Sequence, residues 1–330
     1  MTLLGYTTRT LCYLLAVWLL TMPLVSCNHK DLVYPSSSGE LTVTFDWTKA
    51  PAAQPDGMLL TTFSGKSQPV TFHFSDCAGG TLLLPLGTFQ MIAHNDNPEN
   101  VHNRGTSWSD YELYALPTAI SSFAQMFAAT RNVPRAPGTE NQKVVLEPDE
   151  MWAASQSEIQ TAYATTVTLP MEPITEEYVF TIENVENLEN VIEMAATLSG
   201  MAGTYYPVSR RCGDYDCIIP FAMDKTSGSS VKGTVRTFGN RLSNSYQEGN
   251  SVERKLVMYI MLNDYTKYYS AFDVTDAINE ARQNTPSTAT GQIQLSVTID
   301  EFVIPEPLTN GSGMHAEVDE WQEINVNIRM

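Results

Sequence analysis

Residues Leu41-Thr42-Val43-Thr44-Phe45-Asp46-Trp47 alternate apolar and polar side chains without a break. Successive side chains of an extended chain point to opposite faces. Leu41, Val43, Phe45 and Trp47 therefore line one surface, and Thr42, Thr44 and Asp46 the other. The same alternation returns at Val70, Phe72 and Phe74, at Ile293, Leu295, Val297 and Ile299, and at Ile324, Val326, Ile328 and Met330. Further strands are expected at 81–84, 112–116, 143–147, 163–169, 178–182, 194–199, 216–221, 231–238 and 256–262. The last of these is apolar throughout, which predicts a strand in the middle of its sheet. Gly79-Gly80, Pro85, Pro98, Pro134 to Gly138 and Gly200 punctuate the pattern. Only two windows read as helix. Ala119 to Thr130 is Ala-rich. Asp273 to Gln283 places Val274, Ala277, Ile278 and Ala281 on one stripe, with Asp273 or Thr275 able to cap. Many strands with few helices predict an all-β fold with minor α, built as two tandem antiparallel β-sandwiches. Polar stretches at 147–150 and 155–158, followed by renewed alternation at Thr165 to Pro170, place the boundary near 160. The two sandwiches are then expected over 40–160 and 161–330.

The first 26 residues read as an address. Arg9 precedes an apolar run from Leu11 to Leu24 whose unbroken core, Leu14 to Met22, is shorter than the ~20 residues of a membrane span. It suits a secretory signal. Leu24-Val25-Ser26-Cys27 has the spacing of a bacterial lipobox, in which the cysteine thiol is acylated before cleavage. The competing readings are an ordinary signal with a chance cysteine and an uncleaved anchor helix. Residues 27–39, with Tyr34-Pro35-Ser36-Ser37-Ser38-Gly39, read as a tether. Asn28, where an aspartate would favour inner-membrane retention, favours the outer membrane, and Lys30-Asp31 faintly resembles a surface-export signal. The expected location is the outer membrane, lipid-anchored through Cys27 and surface-exposed.

Acidic side chains number 37 against 19 basic ones, a formal charge of -18. That field repels phosphate backbones and excludes nucleic-acid binding by counterion release.

Candidate chemistry is sparse. Cys212-Gly-Asp-Tyr-Asp-Cys217 could close a disulfide across a short hairpin or hold two reduced thiols. No Cys or His at suitable spacing completes a metal site with that pair. His29, His73, His94, His102 and His315 are scattered. His94 and His102 flank the polar Asn95-Asp96-Asn97 and Glu99, but the oxygen spacing matches no calcium loop. No nucleophile elbow, zinc-binding helix or phosphate-cradling loop is present, so neither enzyme activity, a metal nor a cofactor is expected. Among the aromatics, Trp47 is in phase with a buried face. Trp108, within Gly105-Thr-Ser-Trp-Ser-Asp110, is the better candidate for stacking on a ligand, alongside Trp152, Trp321, Tyr205-Tyr206 and Tyr265 to Tyr269.

Several short motifs carry a family resemblance: the lipobox with Cys27-Asn-His-Lys-Asp-Leu32; Phe45-Asp46-Trp47 before Ala50-Pro51; Gly57-Met58; Gly79-Gly80; and Pro85-Leu86-Gly87. In the second half lie Leu198-Ser199-Gly200-Met201-Ala202, Phe272-Asp273-Val274-Thr275 and a closing Trp321. Together these resemble the fimbrillin-related lipoproteins of Bacteroidetes, specifically the FimB/Mfa2-like anchor or accessory subunits and their relatives. The resemblance implies transthyretin-like sandwiches, outer-membrane lipidation at Cys27, and fimbrial subunits as partners through β-strand pairing. The strand over 322–330 suits such pairing, or else closes its own sheet. The alternative function is a surface glycan-binding lipoprotein of a nutrient-uptake system.

Overall fold

The computed structural model describes residues 38–65, 68–123, 127, 132–213, 215–239, 252–284, 293–307 and 321–324. The signal, Cys27, residues 28–37 and residues 325–330 lie outside them. The first half comprises β1 (Ser38–Asp46), β2 (Met58–Phe63), β3 (Val70–Phe74), β4 (Gly79–Pro85), β5 (Gly87–Asn95), β6 (Val101–Arg104), β7 (Glu112–Ala115), β8 (Lys143–Val144), β9 (Trp152–Thr161), β10 (Ala164–Pro170) and β11 (Glu172–Pro173). The second comprises β12 (Glu176–Glu186), β13 (Val191–Ala202), β14 (Thr204–Tyr206), β15 (Arg211–Cys212), β16 (Asp216–Ser227), β17 (Ser230–Thr237), β18 (Lys255–Leu262), β19 (Lys267–Asp273), α1 (Thr275–Asn284), β20 (Ile293–Val303) and β21 (Gln322–Glu323).

Two sheets form the first sandwich, in the orders β10-β1-β4 and β11-β9-β5-β2-β3. The alternation that opens the sequence explains their packing. Leu41, Val43 and Phe45 are buried, and Leu82 and Leu84 of β4 and Val167 and Leu169 of β10 join them from one layer. Met58, Leu60, Met91, Trp152 and Ala154 close the core from the other layer. Trp47 and Trp152 meet edge to face within it, ring centroids 5.9 Å apart. Most ladders are antiparallel, but β1 pairs with β10 in parallel. The polar stretch 155–158 lies inside β9, and β10 belongs to the sheet of β1, so the ladders of the first sandwich run on to Pro173.

The second sandwich is one long sheet folded over, ordered β20-β12-β17-β16-β13-β18-β19-β21. β16 makes the corner, pairing with β13 over its first half and with β17 over its second. The two ends meet across the core: Phe272 of β19 lies 5.8 Å from Phe302 of β20, and Phe180 stacks on Phe221 at 5.8 Å. β18, apolar from Leu256 to Leu262, sits between β13 and β19 as its composition demands. Gly200 marks a bulge in β13, where the register shifts between Ser199 and Met201. Its φ of +77° and the Glu253 carbonyl, 2.6 Å from where a Cβ would stand, leave room for glycine alone.

Helix α1 buries Ile278, and Val274 immediately before it is buried too, as expected; Asp273 Oδ1 accepts the Thr275 N–H at 3.0 Å. The helix expected at 119–130 is a single 3₁₀ turn over Ile120–Ser122 among the described residues. A small sheet, β15-β14-β7-β6, joins the two halves. Its inward Val101, Leu113 and Cys212 share a core with Phe63 and Ile92 of the first sandwich and with the strands of the second.

Candidate functional site

The first sandwich has an open side. Among the described residues, β3 has a ladder partner on one flank alone, β2, and β4 pairs with β1 alone. Each therefore offers a row of backbone N–H and C=O groups outward. The alternation of β4 sends Leu82 and Leu84 into the core and leaves Leu83 66% exposed; Val70 at the start of β3 is 49% exposed and Leu86 37%. At the end of the sandwich, the β2–β3 turn and the β4–β5 turn hold apart a groove of about 690 Å³. Thr62, Gly65, Val70, Leu84, Leu86 and Phe89 line it, with no charged side chain among the described lining residues. An uncharged groove between two sheet edges can add an extended strand: main-chain hydrogen bonds hold it, and alternate apolar side chains fill the groove.

The C-terminal segment adds to its own sheet. Gln322 and Glu323 pair in parallel with Tyr268 and Tyr269, and Ile324 N–H donates to the Tyr269 carbonyl at 2.8 Å. Trp321 anchors this addition against Tyr259 and Phe127, with ring centroids at 5.4 and 5.8 Å. The rest of the expected strand 322–330 lies outside the described residues.

Cys212 and Cys217 are both buried and reduced. Cys212 sits opposite Tyr205 and its Sγ–H donates to the Phe238 carbonyl at 3.0 Å, whereas Cys217 sits opposite Met201 on another sheet. Burial pushes the Cys217 thiol well up, so it is no nucleophile. His94 and His102 do not converge. His94 is buried, hydrogen-bonded to the Asn95 carbonyl at 2.8 Å and to the Tyr111 hydroxyl at 2.9 Å, and burial lowers its pKa. His102 is exposed beside Tyr114. Asp96 instead meets His73, at 2.8 Å. Among the described residues no group of three His, Cys, Asp or Glu side chains could hold a metal ion. His29 and His315 lie outside the described residues.

Trp108 is half-buried, packed against the larger core. The tryptophans do not form a row: Trp47 and Trp152 belong to the first core, and Trp47 donates its indole N–H to the Cys77 carbonyl at 2.7 Å. The groove escaped sequence reading. Its one local signal is the apolar Leu83-Leu84-Pro85-Leu86 ahead of Gly87, one apolar residue more than alternation can bury.

Comparison with known proteins fits this architecture. The chain is 23% identical, over 92% of its length and 94% of the other's, to a Bacteroides ovatus protein named "Putative fimbrium anchoring subunit Fim4B". A crystal structure titled a "putative adhesin", also from Bacteroides ovatus, superposes with a TM-score of 0.60 at 19% identity, covering 86% of this chain and 99% of that one, and shares its fold. The fimbrial anchor protein Mfa2 from Porphyromonas gingivalis superposes with a TM-score of 0.49 at 10% identity, covering 80% and 90%. Residues 26–222, more than half of the chain, match the family described as Domain of unknown function (DUF5119), and the chain belongs to that family.

Proposed function

We propose that this chain is a lipid-anchored subunit of the bacterial outer membrane that holds a fimbria. In this reading it receives an extended strand of a neighbouring fimbrial subunit along the open edges of its first sandwich. The observation that carries the reading is the near end-to-end correspondence with a protein named as a fimbrium anchoring subunit. Two features of the chain support it. The family match begins at residue 26, immediately before the lipobox Cys27. Acyl chains on that thiol would hold the protein in the bilayer, since each buried CH₂ contributes ~0.8 kcal/mol. The groove beside Val70 and Leu86 then supplies a docking surface built from backbone edges and apolar side chains. The role is structural and adhesive, not enzymatic. A nutrient-uptake glycan binder would instead call for an aromatic row, and Trp47 and Trp152 spend their rings on each other.

The test is a photo-crosslinking amino acid at Leu86, with exposed Glu189 of the second sandwich as control, in fimbriated cells. The Leu86 position should yield a covalent adduct with a fimbrial subunit and the Glu189 position should not. Equal adducts, or none from Leu86, would refute docking at this groove.

A further inference from the structure

The sheet β10-β1-β4 carries two exposed apolar side chains at the corner where the chain enters it. Leu83 is 66% exposed, and Tyr163, just before β10, is 74% exposed. Register places both beside the start of β1. Glu40 stands opposite Ala164, and its N–H donates to the Tyr163 carbonyl at 3.1 Å. On the other flank of β1 the Phe45 N–H donates to the Ala78 carbonyl at 3.1 Å, and the Thr42 and Thr81 hydroxyls lie 3.5 Å apart. β1 and β4 are therefore antiparallel, and Leu83, two residues beyond Thr81, comes beside Glu40.

Further along the strands this outward face is polar but uncharged. Thr42 stands opposite Thr166 and Thr44 opposite Thr168, and Thr81 adds a third strand to the hydroxyl rows. In a chain with a formal charge of -18, these described rows hold Glu40 as their one charged residue. An anionic bilayer surface repels acidic protein faces within a Debye length of about 10 Å, so an uncharged face is the one that can approach it. The tether fixes which end approaches. Eleven residues, Cys27 to Ser37, separate the proposed acyl site from β1. They span about 40 Å fully extended and about 20 Å as a coil. β1 itself is nine residues long, about 30 Å. The tether thus keeps the Ser38 corner, rather than the Asp46 end, within reach of the headgroups.

We propose that this corner seats on the phospholipid surface, with Leu83 and Tyr163 at the boundary between headgroups and acyl chains. Leu83 exchanges water for hydrocarbon. Tyr163 buries its ring and keeps its phenol among the headgroups, as amphipathic rings do at an interface. The Glu40 carboxylate between them meets amine headgroups. Because the tether holds the corner at high local concentration, a contact too weak to bind the free protein suffices. The contact rests on the lipid-anchor reading above. It leaves the groove to its own occupant, since neither Leu83 nor Tyr163 is among the groove's lining residues.

The test uses the full acylated chain, reconstituted into vesicles of phosphatidylethanolamine with a minor share of phosphatidylglycerol. An environment-sensitive fluorescent amino acid replaces Tyr163, Leu83 or, as control, exposed Glu189 of the second sandwich. Emission from positions 163 and 83 should shift to the blue, and a lipid spin-labelled near its headgroup should quench it roughly twofold or more beyond position 189. The double variant Tyr163→Ser, Leu83→Ser alters exposed side chains and should melt with the parent. In it, quenching of a probe at neighbouring Ala162 should fall by roughly half or more. A parent chain that carries no acyl group, or fails to float with the vesicles, overturns the anchor reading and this contact with it. Flotation with equal quenching at 163, 83 and 189, or an Ala162 signal unchanged in the double variant, overturns the contact and leaves the anchor standing. A blue shift that grows with protein concentration in the absence of vesicles means that a second copy covers the corner, and overturns the contact too.

Discussion

Glu40 and Ala164 stand opposite each other on the first rung of a parallel ladder that ends at Asp46 and Pro170. The strand that follows the proposed tether is thus interior, between β10 and β4, and any pull on the N-terminus enters the middle of a sheet. Its inward side chains should be correspondingly costly to truncate. Leu41 is fully buried, and Leu41→Ala is expected to lower stability by about 2–5 kcal/mol in urea unfolding. A loss under about 1 kcal/mol would show that β1 is not a central strand.

Gly79 sits at a φ of +129°, and a Cβ there would stand 2.0 Å from the Val43 carbonyl oxygen of that same strand. Gly138, at +85°, has nothing within 4 Å. Alanine at Gly138 should therefore cost only the backbone strain, about 1–2 kcal/mol, and alanine at Gly79 distinctly more, since backbone must move. Thermal midpoints of the two variants check the order. Equal losses would mean the β1–β4 approach is looser than the structure shows.

His94 gives a pH dependence with a definite sign. Burial lowers its pKa below the ordinary 6.5, so the folded protein keeps it neutral at a pH where the unfolded chain has taken up a proton. Its contribution is complete above about pH 7 and is lost as the pH falls below 6.5 towards the lowered value. The stability difference between parent and His94→Gln should accordingly shrink from pH 7.5 to pH 5. A difference constant over that range would refute the account of His94.

Glu176 behaves in the opposite sense. Burial raises its carboxyl above the ordinary 4.5 even though Arg282 Nη1 lies 2.8 Å from Oε2 and the Tyr178 hydroxyl donates to it at 2.7 Å. A carboxyl raised on folding stabilises most below 4.5, and that contribution is lost as pH rises through its folded value. Arg282→Met leaves this buried carboxylate without its ion-pair partner and should cost about 3–5 kcal/mol at pH 8. Adding Glu176→Gln should recover part of the loss, and the double variant should be less sensitive to pH. A double variant no better than the single one would show that the pair is not coupled.

Alternation read from single strands located most of the fold, because a buried face prints its period directly onto the chain: β1, β4, β10, β12 and β18 all fall where Leu41, Leu82, Val167, Tyr178 and Leu256 announce them. β9 hid behind Ser155-Gln156-Ser157-Glu158. Its ladder with β5 shifts register between Phe89 and Met91, and Glu158 takes a positive φ of 57°, so the polar run resembles a linker. The pairing of β1 with β10 joins segments more than a hundred residues apart and leaves no local trace. The groove is likewise tertiary, made by two turns, near Gly65 and near Leu86, that meet only when both sheets are stacked.

The proposed anchor is tested most directly by Cys27→Ser in a fimbriated strain, with the fimbriae on washed cells and in the medium quantified separately. The account predicts that the variant remains an unprocessed precursor without any acyl adduct by mass spectrometry, and that fimbriae are shed from the cells into the medium. Fimbriae retained on the cells at parental levels, with Cys27→Ser verified, would contradict it.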